Sequence, residues 1–205
     1  MTNINFGSFS KSRIEAFSDG VFAIIVTLLV LEIKIPHLEH NTNAEFLHSM
    51  IELLPKILAW MNSFLVVCVI WMNHHRLMEM FKRIDVGLFW FNNFLLMSTS
   101  LIPFPTALLG EYMNLEYAVF FYGACSLLMA ISFIVIRLYV VKKPDLMKED
   151  VDLKAFKRGT WDTFRYGFLL YLAGAIVSLF NPWIAFAIYF FIPVYFIFPR
   201  ATVGK

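Results

Sequence analysis

Apolar residues in this chain come in long, nearly unbroken runs, and the polar residues gather into a few short clusters between them. Crossing about 30 Å of hydrocarbon takes about 20 helical residues at 1.5 Å rise. Runs of that order cover roughly 15–35, 53–75, 85–109, 115–141, 163–180 and 182–199. The pattern predicts an all-α, polytopic protein of six transmembrane helices forming one domain over 1–205. The last two runs are short and are divided only by Asn181-Pro182, a turn signal that predicts a tight helical hairpin. Pro103 and Pro105 are expected to kink or end the third helix, and Pro193 and Pro199 to do the same near the C-terminus.

Composition supports the membrane reading. The chain is 60% hydrophobic and 16% charged, against about 45–50% and about 25% for a soluble domain. A net charge of +2 gives no argument for a nucleic-acid partner. Trp60, Trp71, Trp90, Tyr112, Tyr117, Trp161 and Trp183 crowd the predicted helix ends, as interfacial anchoring requires. Cys68 and Cys125 lie in separate apolar runs and read as small buried hydrophobes. No cleavable leader is expected, because the first run has membrane length and carries Asp19 and Glu32.

Charge placement sets the orientation. Lys11, Arg13, Arg76, Lys82, Arg83, Arg137, Lys142, Lys143, Lys148, Lys154, Lys157, Arg158, Arg165, Arg200 and Lys205 all fall on one predicted side. The other side has Lys34 and Lys56 among acids such as Glu39, Glu45, Glu52, Glu111 and Glu116. An excess of Lys and Arg in cytoplasmic loops puts both termini in the cytoplasm. The segment 142–162 reads as a solvated connector with room for a surface helix.

Polar residues inside the runs are the candidate chemistry. Arg13-Ile-Glu-Ala-Phe-Ser-Asp-Gly20 leads directly into the first apolar run. An unpaired Asp in hydrocarbon is costly, so Asp19 is expected to face protein or water. Ile24, Leu28 and Leu31 fall on one helical stripe bordered by Thr27, and Asp19 is rotated from Ile24 by about 140°. Such a stripe is read either as ordinary lipid or helix contact or as an apolar pore lining. Trp71, His74 and His75 close the second run, and Asn92, Asn93, Ser98, Thr99 and Ser100 lie in the third. Arg13, Asp19, His74 or His75, and Asn93 are expected to satisfy one another. Adjacent histidines point about 100° apart, so no metal site is expected. His75 is read as structural ahead of a pH sensor. Glu32 is either a cation-attracting acid at a pore mouth or an interfacial acid. No nucleophile motif, metalloprotease motif, Walker loop, Thr-Val-Gly-Tyr-Gly filter or Arg-rich voltage-sensor helix is present, so no enzyme activity and no cofactor are expected.

The element Arg13-x-x-x-Phe17-Ser18-Asp19-Gly20, the run Val21–Ile33, Trp71-Met-Asn-His-His75 and Asn92-Asn93 together resemble the endosomal/lysosomal potassium channel family and its bacterial homologues. The resemblance implies a K⁺-selective cation channel of moderate selectivity, without a filter loop, whose first helix lines the pore. Its single six-helix repeat implies a homotetramer in a cell membrane, with a bacterial inner membrane favoured. Carried onto this chain, the constriction is Ile24, Leu28 and Leu31, and Thr27 is the adjacent hydroxyl. Arg13, Phe17, Ser18 and Asp19, with Trp71, His74, His75 and Asn93, form an inter-helix polar clamp. A proton or cation leak pathway and a non-conducting membrane scaffold are the competing readings.

Overall fold

The computed structural model describes residues 10–197, so Pro199, Arg200 and Lys205 lie outside the described residues. Helix α1 (Lys11–Leu28) tightens into a 3₁₀ turn over Leu29–Glu32. After a loop come α2 (Asn43–Glu52), α3 (Leu54–Glu79), α4 (Val86–Ser100), α5 (Pro103–Glu111) and α6 (Glu116–Lys142). Helix α7 (Leu153–Thr163) passes through a π turn, Phe164–Phe168, into α8 (Leu169–Ser178), and α9 (Pro182–Ile197) follows. The protein is all-α; an isolated antiparallel bridge joins Phe81 to Met147.

Four segments are long and apolar enough to cross a membrane: Lys11–Glu32, Leu54–Glu79, Val86–Glu111 and Glu116–Lys142. Helices α8 and α9, of 10 and 16 residues, are shorter. Asn181 makes the turn between them, its Oδ1 accepting from the amides of Trp183 and Ile184 at 3.1 Å each. The third predicted run is two helices, because Pro103 and Pro105 have no N–H with which to continue the ladder past Leu101-Ile102. Just before this break Ser98, Thr99 and Ser100 donate to carbonyls three or four residues back, which satisfies them within α4.

Helix α6 is the hub, packing against α4, α5 and α8. Its apolar window is 61% buried against 28% for Lys11–Glu32, so α1 is a peripheral helix of the single chain. At one end of the hub Tyr122 meets Tyr189 at 5.5 Å, and Tyr189 meets Tyr171 at 5.9 Å. Two glycines admit the Tyr189 ring. A Cβ on Gly123 would sit 2.0 Å from the Tyr189 hydroxyl, and one on Gly174 2.4 Å from its ring. The Tyr122 hydroxyl also takes a hydrogen bond from Asn62 Nδ2 and lies 3.0 Å from Ser63 Oγ, fastening α3 to α6.

The basic loops do share one end of the bundle. Lys11 Nζ donates to the Phe81 carbonyl at 3.0 Å, and Lys82 pairs with Glu149 and Arg83 with Asp145. Asp85 caps α4 by accepting from the Leu88 amide, and it also accepts from Tyr139 Oη at 2.8 Å and Lys143 Nζ at 2.9 Å. The opposite end is tied by Lys56 to Glu111 at 2.6 Å and by Trp183 Nε1 to Asn114. Arg137 and Arg165 lie where the predicted runs put them, within α6 and in the π turn. Helix α2 was not anticipated. Thr42 accepts from the Glu45 amide, and Glu45 reaches back to the amides of Glu39 and His40, a capping arrangement that starts a short helix.

Burial pushes the Asp85 carboxyl up, but hydrogen bonds from Lys143, the Leu88 amide and Tyr139 outweigh it and hold the group below its ordinary range. A carboxylate with a lowered folded-state pKa contributes stability that is present above its unfolded pKa and lost as pH falls through the lowered value. Thermal melts in detergent should therefore show the wild type losing stability below about pH 4 more steeply than Asp85→Asn. Parallel acid profiles would show that Asp85 is not a linchpin of this end.

Candidate pore face and its polar support

Helix α1 has two faces of opposite character. Ile14, Ser18, Phe22, Ile25 and Leu29 recur every three or four residues and are all buried. Phe17, Gly20, Ile24, Thr27, Leu28 and Leu31 are all exposed. Ile24 is 60% and Leu31 65% exposed, whereas Leu29 is 0%. The 3₁₀ turn sharpens the stripe at its C-terminal end, because side chains three apart eclipse in such a turn and Leu31 comes to stand over Leu28. Thr27 carries the one hydroxyl on this face and donates it to the carbonyls of Ala23 and Ile24, so it needs no external partner. Nothing lies within 4 Å of a Cβ on Gly20, so the face is open along its N-terminal half too.

The buried face is pinned by polar side chains. His74 Nε2 and Asn92 Oδ1 are 2.7 Å apart, and Asn92 Nδ2 donates to Ser18 Oγ at 3.1 Å. Because the Asn92 oxygen can only accept, His74 carries its proton on Nε2. Three helices, α1, α3 and α4, thus share one buried chain of hydrogen bonds. The His74 ring also packs 5.3 Å from Phe22. Beside this chain, and exposed, the Trp71 indole donates to Asp19 Oδ1 at 2.9 Å.

The structure thus joins Ser18 to His74 through Asn92, and Asp19 separately to Trp71, with Asn92 rather than Asn93 in the buried contact. Asn93 is turned away on α4 and donates to its own helix at Phe89 O. The two histidines separate as well. His75 is exposed, stacks on Trp71 at 6.0 Å and lies 3.6 Å from Glu79. Arg13 and Phe17 are exposed, and Arg13 has no hydrogen bond or ion pair among the described residues. Glu32 is half-buried and lines a cavity of about 310 Å³ just beyond the C-terminal end of α1, together with Lys34, Lys56, Trp60, Thr106 and Glu111. Among the described residues no group of three or more His, Cys, Asp or Glu could hold a metal ion.

Residues 13–103 match the family described as endosomal/lysosomal potassium channel TMEM175. A potassium channel of Chamaesiphon minutus is 37% identical over 187 residues, which cover 90% of this chain and 92% of that protein. The chain belongs to the TMEM175 family. A potassium channel of a Chryseobacterium species is 32% identical over 199 residues, covering 96% of this chain and 97% of its own. The crystal structure of a lysosomal potassium-selective TMEM175 homologue from Chamaesiphon minutus superposes with a TM-score of 0.81 at 35% identity, over 91% of this chain and 96% of that one. The family match contains both faces of α1 and every residue of the chain Ser18, Asn92 and His74.

Removing the middle of that chain strands two buried partners. Asn92→Leu should cost about 1–3 kcal/mol, the penalty of leaving buried polar groups unpaired, whereas Trp71→Phe, at an exposed contact, should cost far less. Denaturation in detergent compares them; equal losses would mean that the buried chain does not fix α1.

Proposed function

We propose that this TMEM175-family protein is a potassium-conducting channel that assembles as a homotetramer, with the open face of α1 from each copy lining a central pore. The observation that carries the reading is the two-faced α1 helix: one side locked by buried polar contacts, the other left uncovered by its own chain. Closed cyclic symmetry is the common way for copies of one chain to cover such a face, and the small residues Gly20 and Ala23 allow close approach there. The potassium channels named for two bacterial relatives support the choice of ion.

In this assembly Ile24, Leu28 and Leu31 form successive apolar rings, with the Thr27 hydroxyls between them. Apolar rings offer no oxygen ligands to replace an ion's hydration shell, and they close a pore by expelling water. Selectivity for K⁺ over Na⁺ is accordingly moderate. The α8–α9 hairpin supplies the fifth and sixth membrane passages, and the basic end of the bundle faces the cytoplasm with both termini. Asp19, held by Trp71, sits with Phe17 and Arg13 at that end, where the exposed groups meet the adjoining copy. The protein resides in a cell membrane.

Reconstituted protein should carry K⁺-gradient-driven flux, with Na⁺ flux lower. Ile24→Asn should raise total flux and narrow the difference between the two ions, because an amide can ligate ions and keep the ring wet. Unaltered flux and selectivity in a folded Ile24→Asn protein would remove Ile24 from the pore. Asp19→Ala should lower the yield of the tetramer on size exclusion with light scattering; an undiminished tetramer would mean that the inner-end contacts do not hold the assembly.

A further inference from the structure

Helix α7 presents a row of cations that its own chain leaves unpaired. At 100° per residue Lys154, Lys157, Arg158 and Trp161 fall within about 100° of arc, and all are exposed, as is Arg165 one turn beyond Trp161. The opposite side of α7 is fixed against α6. Phe156 and Thr160 are buried there, and Arg137 of α6 donates to Thr160 Oγ1 and to the Phe156 carbonyl, both at 3.1 Å. None of Lys154, Lys157, Arg158 and Arg165 makes an ion pair among the described residues, where the salt bridges of the basic end belong to Lys11, Lys82, Arg83 and Lys143. The acids of α7 are engaged elsewhere: Asp152 caps the helix by accepting from the Lys154 amide at 2.7 Å, and Asp162 is half-buried and acts on Arg137.

The same exposed side changes character along the rod from α7 into α8. After the cations and Trp161 it continues as Leu169, Ala173 and Ile176, all exposed and all apolar. Trp161 to Phe180 is 20 residues, about 30 Å at 1.5 Å rise, the thickness of the hydrocarbon core. With Trp161 at one boundary, Arg158 lies about 4.5 Å and Lys154 about 10.5 Å outside it, the level of lipid headgroups. Arg165 starts inside the boundary and reaches back, its guanidinium 5.9 Å from the Trp161 ring centre, as a snorkelling side chain does. Cation, aromatic and aliphatic thus follow one another in the order that a single leaflet presents phosphate, interface and chain.

We propose that this face of α7 binds the phosphate headgroups of anionic phospholipids, with Arg158 and Arg165 as the forked donors either side of Trp161 and Lys154 and Lys157 adding charge farther out. Guanidinium and phosphate match in charge and in hydrogen-bond geometry, and a zwitterionic headgroup, whose own ammonium offsets its phosphate, gains much less. The surface uses the fifth membrane passage of the proposed topology and owes nothing to the pore, since α1 packs against α3 and α4 and α7 against α6.

Native mass spectrometry of the full-length protein, delipidated in detergent and titrated with phosphatidylglycerol or with phosphatidylcholine of the same chains, tests the surface without reference to ion flux. Wild type should bind phosphatidylglycerol more tightly. Arg158→Gln should weaken that binding about fivefold, the effect of one cation at an anionic surface, and leave phosphatidylcholine unchanged. Replacing Lys154, Lys157, Arg158 and Arg165 together by Gln should abolish the preference, whereas Lys82→Gln with Arg83→Gln, which removes cations already paired with acids, should preserve it. Equal binding of the two lipids by wild type would overturn the proposal and leave the face to an adjoining copy or an acidic protein. A preference that survives the fourfold variant, or that falls equally in the Lys82 and Arg83 variant, would overturn it as well. Should the fourfold variant fail to fold, unchanged phosphatidylglycerol affinity in folded Arg158→Gln would overturn it alone.

Discussion

Ser18, Asn92 and His74 sit where water cannot reach them, so the hydrogen bonds they exchange across α1, α4 and α3 are obligatory. Turning α1 by a single residue would swing Ser18 through about 100°, break the chain and leave the buried Asn92 amide without its partner. The rotation of α1 is therefore set by a polar contact, since apolar packing against lipid-like side chains discriminates poorly between rotations in a bilayer. The uncovered face follows directly. With Ser18, Phe22, Ile25 and Leu29 committed inward, Ile24, Leu28 and Leu31 can only point away from the chain.

The remainder of the bundle provides a fixed frame for that helix. Helix α6 is the most buried of the long apolar helices, and the Tyr122, Tyr189 and Tyr171 cluster locks it to α8 and α9 with close approach at Gly123 and Gly174. At the basic end, Lys11 bonds to Phe81, and the loop holding Phe81 is bridged to Met147. The start of α1 is thus anchored to the same loops that join α3 to α4 and α6 to α7. Its C-terminal half has fewer polar ties, ending in the 3₁₀ turn beside the cavity at Glu32 and Lys56. A helix held at its N-terminal end and freer at its C-terminal end suits the proposed pore lining, whose width would depend on small rotations.

Much of this was legible in the residues. Of the six apolar runs read from the sequence, four are helical segments long enough to cross a membrane and the last two are shorter helices, and the break at Pro103 and the turn at Asn181-Pro182 follow from backbone chemistry and are present. The stripe of Ile24, Leu28 and Leu31 was legible because one helical period decides it. The choice between Asn92 and Asn93 was not, since two adjacent residues differ only by which face of α4 meets its neighbours. The same ambiguity separated buried His74 from exposed His75. Helix α2 carried a readable signal, Thr42 with Glu45 three residues later, that apolar periodicity did not reveal. Arg137 was hidden for the opposite reason: in a chain scanned for loop charges, a basic residue near a helix end looks like a topological marker, and only the tertiary packing shows it turned inward.

Thr27→Cys offers the most direct test of the central claim, that the open face of α1 meets water along an ion path. A cationic, water-soluble thiol reagent should modify Thr27→Cys in reconstituted vesicles and abolish K⁺ flux, while leaving wild-type flux untouched despite Cys68 and Cys125. A conducting Thr27→Cys protein whose flux survives, with the thiol unmodified, would place this face against lipid and contradict the account.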